Sequence, residues 1–135
     1  VHDLLSAIAL ARGWEKTRNV RIAGFAGAGP QALLAHALAG DASASAAIDL
    51  DGFDFDRVSG ETDPMLLPGA LKYGGIYGFA PLCAGRPTLL CNARKTGRFN
   101  LAERSKGVTL RGDGSAATLI ESLVDSVAKS SIISR

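Results

Sequence analysis

The feature that most constrains this chain is the run Gly24-Phe25-Ala26-Gly27-Ala28-Gly29, set between an apolar segment and a segment that opens on Pro30. Upstream, Val20-Arg21-Ile22-Ala23-Gly24-Phe25 follows Asn19, is short and apolar, and ends in glycines, which reads as a buried strand. Downstream, Pro30 takes a first helical position, where its missing N–H costs nothing. Leu33, Leu34, Ala37 and Leu38 then make an apolar stripe that stops at a capping Gly40. A buried strand that turns into a helix through small residues belongs to sheets whose strands run parallel, because each such strand must return by a crossover.

The rest of the chain repeats the alternation. Leu4, Leu5, Ile8 and Ala11 are spaced for a first helix over Asp3–Arg12, stopped by Gly13. Ala46–Leu50 and Pro87–Asn92 read as the second and third buried strands, and Val108–Arg111 as a fourth. Short helices are expected near Pro68–Tyr73 and Leu101–Ser105. A closing helix over Ala116–Lys129 presents Leu119, Ile120, Leu123, Val124 and Val127 on one wide face. The expected fold is therefore α/β: a mostly parallel sheet with helices on both faces, one domain over residues 1–129 and a tail over 130–135. The first residues read as helix already, with neither a methionine nor a signal peptide, so the expectation is a piece of a longer chain.

Composition excludes more than it selects. A formal charge of +2 with scattered basic residues argues against a nucleic-acid partner, and Arg94-Lys95-Arg98 reads as a solvated loop. No stretch reaches the ~18 apolar residues of a membrane span, so no membrane partner is expected. Cys83 and Cys91 match no zinc or redox spacing and are expected buried and reduced, which leaves the compartment open. Asp49, Asp51, Asp54 and Asp56 resemble a cation loop only superficially. A calcium loop wants glycine at its sixth position and glutamate at its twelfth, where Asp54 and Gly60 stand, so a solvated acidic loop is expected and no metal or cofactor.

The turn itself has three readings. In a nucleophile elbow, G-x-S-x-G, a strained turn lifts the central side chain above the sheet and the next N–H helps to form an oxyanion hole. Gly24 and Ala28 would be its small flanks, Ala26 its nucleophile position and Gly27 the N–H donor. In a dinucleotide site, Gly27, Gly29 and Ala32 would take the three glycine positions, with Asp49 as the ribose-binding acid. The third reading is a glycine turn that serves packing alone.

Val1-His2-Asp3-Leu4-Leu5, the turn Ala23 to Pro30 with Ala32-Leu33-Leu34-Ala35, and Asp63-Pro64-Met65-Leu66-Leu67-Pro68-Gly69-Ala70-Leu71-Lys72-Tyr73-Gly74-Gly75 together resemble bacterial α/β-hydrolases of the acetyl xylan esterase-like kind. The resemblance spans roughly residues 1–125. It implies the C-terminal half of an α/β-hydrolase domain, with the N-terminal portion of the same protein as a partner and a parent that is often exported. In such folds the triad runs nucleophile, acid, histidine. Ala26 stands at the first position and Asn92 at the second, with no carboxylate until Glu103; the histidine loop reads Gly112-Asp113-Gly114. His2 and His36 both lie on upstream helices, and His36 reads as a surface or packing residue. No catalytic residue is expected. The candidates for a cleft and oxyanion hole are Phe25, Ala26, Gly27, Asp51 and Asn92, at three successive strand ends.

Three functions follow as expectations. The first is a non-catalytic hydrolase-like module that binds a carbohydrate ester or another small molecule, or supports an esterase-like parent. The second is an active carboxylic-ester hydrolase using other groups, and the third a Rossmann-like nucleotide-binding domain.

Overall fold

A computed structural model of the chain describes residues 1–132, with the side chains of the last helix placed through Asp125. The strands are β1 (Arg21–Gly24), β2 (Ser45–Asp49), β3 (Thr88–Cys91) and β4 (Val108–Arg111). They form one sheet in the order β1-β2-β3-β4 with every neighbouring pair parallel. The helices are α1 (His2–Arg12), α2 (Gly29–Ala39), α3 (Phe99–Glu103) and α4 (Ala116–Ile132). The α/β class read from the sequence is thus the observed one.

Strand alternation sorts the core into two layers. Ala46, Ile48 and Leu90 point to the face that holds α2, Ile76, Tyr77 and the Phe55 ring, where the main core lies. Ala47, Leu89 and Cys91 point to the other face, where Leu119 of α4 covers them with Leu123 beside it. Helices therefore lie on both faces, but unequally. The α2 face carries most of the apolar burial, while among the described residues α4 covers the other face mainly over β1 and β2 and reaches Leu89 and Cys91 of β3.

Several expectations need correction. β1, β2 and β3 are each one or two residues shorter or shifted, whereas β4 matches. The helix expected over Pro68–Tyr73 is a 3-10 turn over Ala70–Tyr73, and a second, longer 3-10 stretch over Gly75–Cys83 follows it. Glycines at positive φ (Gly69, Gly74 and Gly75) and Pro81 break the period that an α-helix would have shown. Leu38 is 61% exposed, just past the run Ala32 to Ala37 on which α2 is buried around most of its circumference. Ile120 and Val124 are exposed as well, so the inward stripe of α4 narrows to Leu119 and Leu123. Val127 and residues 133–135 of the expected tail lie outside the described side chains and residues, and α4 runs to Ile132.

Candidate functional site

The turn after β1 is built by close backbone approach. A methyl group at Gly24 would lie 2.6 Å from the Ala32 Cβ and 3.0 Å from the Gly29 Cα; one at Gly29 would lie 1.7 Å from the Asp49 carbonyl oxygen. Both glycines are needed so that the start of α2 can press into the β1–β2 corner. Ala28, between them and the crest, is exposed. Phe25 is still extended, with φ −120° and ψ 141°, and the chain then reverses at Ala26 with φ +47°. Left-handed backbone costs a residue with a Cβ roughly 1–2 kcal/mol. Ala26 and Gly27 stand exposed at the crest, and nothing lies within 4 Å of where a Gly27 side chain would begin.

Ala26 is one of three non-glycine residues at positive φ among those described; the others are Asp51 (48°) and Asn92 (52°). Each follows the end of a different strand, β1, β2 or β3, and these strands are neighbours. Asp49 ties two of them together. Its Oδ1 accepts from the Asp51 backbone N–H at 2.9 Å and from the Asn92 Nδ2 at 2.8 Å. The Asn92 Nδ2 also donates to the Gly114 carbonyl at 3.2 Å, and the Asn92 backbone carbonyl accepts from the Gly52 N–H at 2.8 Å. Asp51 and Asn92 are thus brought together, and the loop after β4 is drawn to them. Ala26 and Gly27 stand one strand away, joined to this crest by the contact of Gly29 with the Asp49 carbonyl. Phe25 is 38% exposed and by alternation lies on the α4 side of the sheet, just before the reversal.

The acidic stretch divides. Asp54 is fully buried; its Oδ1 accepts from the Phe55 and Ile76 N–H groups, each at 2.8 Å, and its Oδ2 faces the Arg98 guanidinium at 3.5 Å. Asp56 is exposed and pairs with Arg94. Expecting Asp54 in a solvated loop was wrong, because it caps the 3-10 turn Phe55–Arg57 from inside. Among the described residues no three His, Cys, Asp or Glu side chains cluster as metal ligands. Both thiols are free and buried, and burial pushes the Cys83 thiol up to about 11. A cavity of about 630 Å³ lies elsewhere, between the α4 wall (Thr118, Glu121, Ser122) and the floor of β3 and β4 (Leu89, Thr109, Arg111); its lining includes none of the five candidates.

His36 is fully buried at the opposite end of the sheet, near the start of β3. Its Nε2 lies 3.0 Å from the Thr88 Oγ1, and its Nδ1 lies 2.8 Å from the Ser43 Oγ and 3.3 Å from the Arg86 Nη1. Arg86 can only donate, so Nδ1 accepts and the proton sits on Nε2. Arg86 also donates to the carbonyls of His36, Gly40 and Leu82 at 2.7–2.9 Å, closing the C-terminus of α2. Burial, and next the Arg86 charge, lower the His36 pKa from 6.5 to about 4. The unfolded chain therefore binds a proton that the folded chain refuses between those values. Stability is full above about pH 6.5 and falls on acidification toward pH 4, by on the order of 3 kcal/mol. Urea midpoints at pH 7 and pH 4.5 check this: the drop should shrink in His36→Gln, and an equal drop in both proteins would remove His36 as its cause.

No protein-family model, curated protein or solved structure matches this chain, so a functional reading rests on the strand-end geometry and on the residues that stand there.

Proposed function

We propose that the chain is an α/β-hydrolase-like module with an alanine at its nucleophile elbow, and that it binds a small carbohydrate ester or a similar small molecule without turning it over. The observation that carries this reading is the left-handed Ala26 at a strand-to-helix turn whose flanks admit only glycine. Strain of that kind persists where surrounding structure enforces it, and such positions concentrate at functional sites. An elbow uses that conformation to lift one side chain above the sheet.

The same residues argue against turnover. The Ala26 methyl carries no lone pair, Asn92 carries no charge, and the loop at Gly112-Asp113-Gly114 offers no imidazole. His36 is sealed at the far end of the strands. What remains at the crest is the exposed Asp51 carboxylate beside the exposed Ala26 and Gly27, a carboxylate suited to accepting from hydroxyl groups. The nucleotide reading has less support, since Gly29 is spent on the Asp49 carbonyl and the Asp49 carboxylate on Asp51 and Asn92.

The test is a pair of measurements on the folded chain. Aryl-acetate hydrolysis should equal that of a heat-denatured blank. Calorimetric titration with an acetylated xylo-oligosaccharide should show saturable binding, weakened roughly tenfold or more by Asp51→Ala, the worth of a charge-assisted hydrogen bond. Turnover by the unmodified chain, or binding indifferent to both Asp51→Ala and Asn92→Ala, overturns the proposal.

A further inference from the structure

The cavity of about 630 Å³ on the α4 side of the sheet lies over β3 and β4, away from β1, where the N-terminal portion of a hydrolase-like domain would lie. Its floor follows from strand alternation. Leu89 of β3 and its register neighbour Thr109 of β4 turn to that side, as does Arg111 at the end of β4. Leu89 is buried, while Thr109 and Arg111 are exposed. The wall follows from helical spacing. Leu119 and Leu123 meet the sheet, and at 100° per residue Thr118 and Ser122 fall on one flank of α4, half-buried. Glu121 and Asp125 stand above them on the rim, exposed.

The charges around this cavity are not spent on one another. The ion pairs among the described residues are Arg94–Asp56 and Arg98–Asp54, so Arg111, Glu121 and Asp125 line one cavity without closing it. They are also sorted by sign along its length. β4 ends at Arg111 and α4 begins at Ala116, so the helix starts at the end of the sheet where Arg111 stands and runs back toward the strand starts. Pro87 and Gly107, which precede β3 and β4, line the other end. From Thr118 to Asp125 the helix rises about 10 Å. A guanidinium thus stands at one end of the cavity and two carboxylates toward the other, with the Thr109 and Ser122 hydroxyls and an apolar floor between them.

We propose that this cavity binds a linear zwitterion whose carboxylate and ammonium lie about 10 Å apart, the span of an extended tripeptide. Arg111 takes the carboxylate, to which a guanidinium presents two parallel N–H donors. The ammonium has three donors and no acceptor, and it goes to Asp125 and Glu121. The peptide groups between them meet the Thr109 and Ser122 hydroxyls, and small side chains lie on Leu89. The volume falls within the roughly 300–1,000 Å³ of small-molecule sites. A neutral sugar would leave all three charges without a counterpart, so this site and the crest differ in the ligand they take.

Calorimetric titration of the chain with trialanine at neutral pH and low salt tests this, because each end of the probe can be neutralised separately. Saturable binding is expected. N-acetyl-trialanine and trialanine amide, which each lose one charge, should bind roughly fivefold more weakly, the worth of an exposed ion pair. Arg111→Gln should weaken trialanine roughly fivefold and abolish the penalty for the amide while keeping that for the acetyl form. Glu121→Gln with Asp125→Asn should do the reverse. All three residues are exposed, so the melting midpoint should stay in place. Asp51→Ala should leave trialanine binding unchanged, which separates this site from the crest. A folded chain that does not bind trialanine overturns the proposal. Binding that the acetyl and amide forms equal, or that Asp51→Ala removes, overturns it as well.

Discussion

Gly29→Ala abolishes or nearly abolishes folding, while Gly27→Ala, two residues away in the same turn, leaves stability within about 0.5 kcal/mol of the parent. The added methyl at position 29 would begin 1.7 Å from the Asp49 carbonyl oxygen and 2.8 Å from its carbon. Neither atom belongs to a flexible side chain. Relief requires α2 to lift from the β1–β2 corner or β2 to leave its register, and both moves open the main core where Leu33, Ile48 and Leu90 are packed without exposure. Overpacking by one methyl usually costs ~1–3 kcal/mol where side chains can give. Against fixed backbone the cost is on the order of 5 kcal/mol, comparable to the whole stability of a domain this size. At Gly27 no atom lies within 4 Å, and its φ is not in the left-handed region, so the methyl meets solvent. Thermal melts followed by circular dichroism decide the matter. Equal midpoints for the two variants would mean that α2 does not seat against Asp49 as described.

The same comparison marks how far the sequence carries. That a turn of small residues joins a strand to a helix was legible from Gly24 to Pro30, and so was the alternation that makes the sheet parallel. Which glycine does the packing was not, because the partner atom belongs to Asp49, on the next strand. Asp51 and Asn92 were legible as strand-end residues, and both types enter the left-handed region more readily than most. The link that joins them, the Asp49 carboxylate, was read instead as a ribose ligand or as part of a solvated acidic loop. Asp54 and His36 escaped for the same reason. Asp54 gains its second N–H donor from Ile76, 22 residues away, and His36 is fixed by Thr88 and Arg86, at separations of 52 and 50 residues. Apolar type alone also misplaced Leu38, which stands exposed just past the buried run Ala32–Ala37, and Ile120 and Val124, which lie off the Leu119–Leu123 arc that meets the sheet. Periodicity reports which elements form; it does not report which of their apolar residues find something to cover them.

On the proposed hydrolase-like reading, installing a triad should turn the crest into an esterase, at positions which that reading assigns. Ala26→Ser supplies the nucleophile at the one left-handed residue of the elbow. Asn92→Asp supplies the acid beside the loop where that reading needs a histidine, and gives up the hydrogen bond that the Asn92 Nδ2 donates to the Gly114 carbonyl. That change would set two carboxylates against each other at the 2.8 Å contact with Asp49, and like charges so close cannot both ionise. Asp49→Asn must therefore accompany it, which exchanges donor and acceptor and keeps the oxygen that the Asp51 N–H requires. The histidine cannot replace Gly114, where a methyl group would lie 2.4 Å from the Cys91 sulfur. Asp113, exposed and one residue earlier, is open to Asp113→His. General-base catalysis contributes typically ~10²–10⁴-fold, and a triad without its base retains only what binding and the oxyanion hole supply. The four substitutions together should raise aryl-acetate turnover at least about a hundredfold over Ala26→Ser alone, and a fluorophosphonate should label the serine in the complete set far faster than in the single variant. If the four-fold variant keeps its melting transition and is neither active nor labelled, Ala26 is not a nucleophile position, and the strained backbone at the ends of β1, β2 and β3 serves packing and ligand contact without the geometry of an elbow.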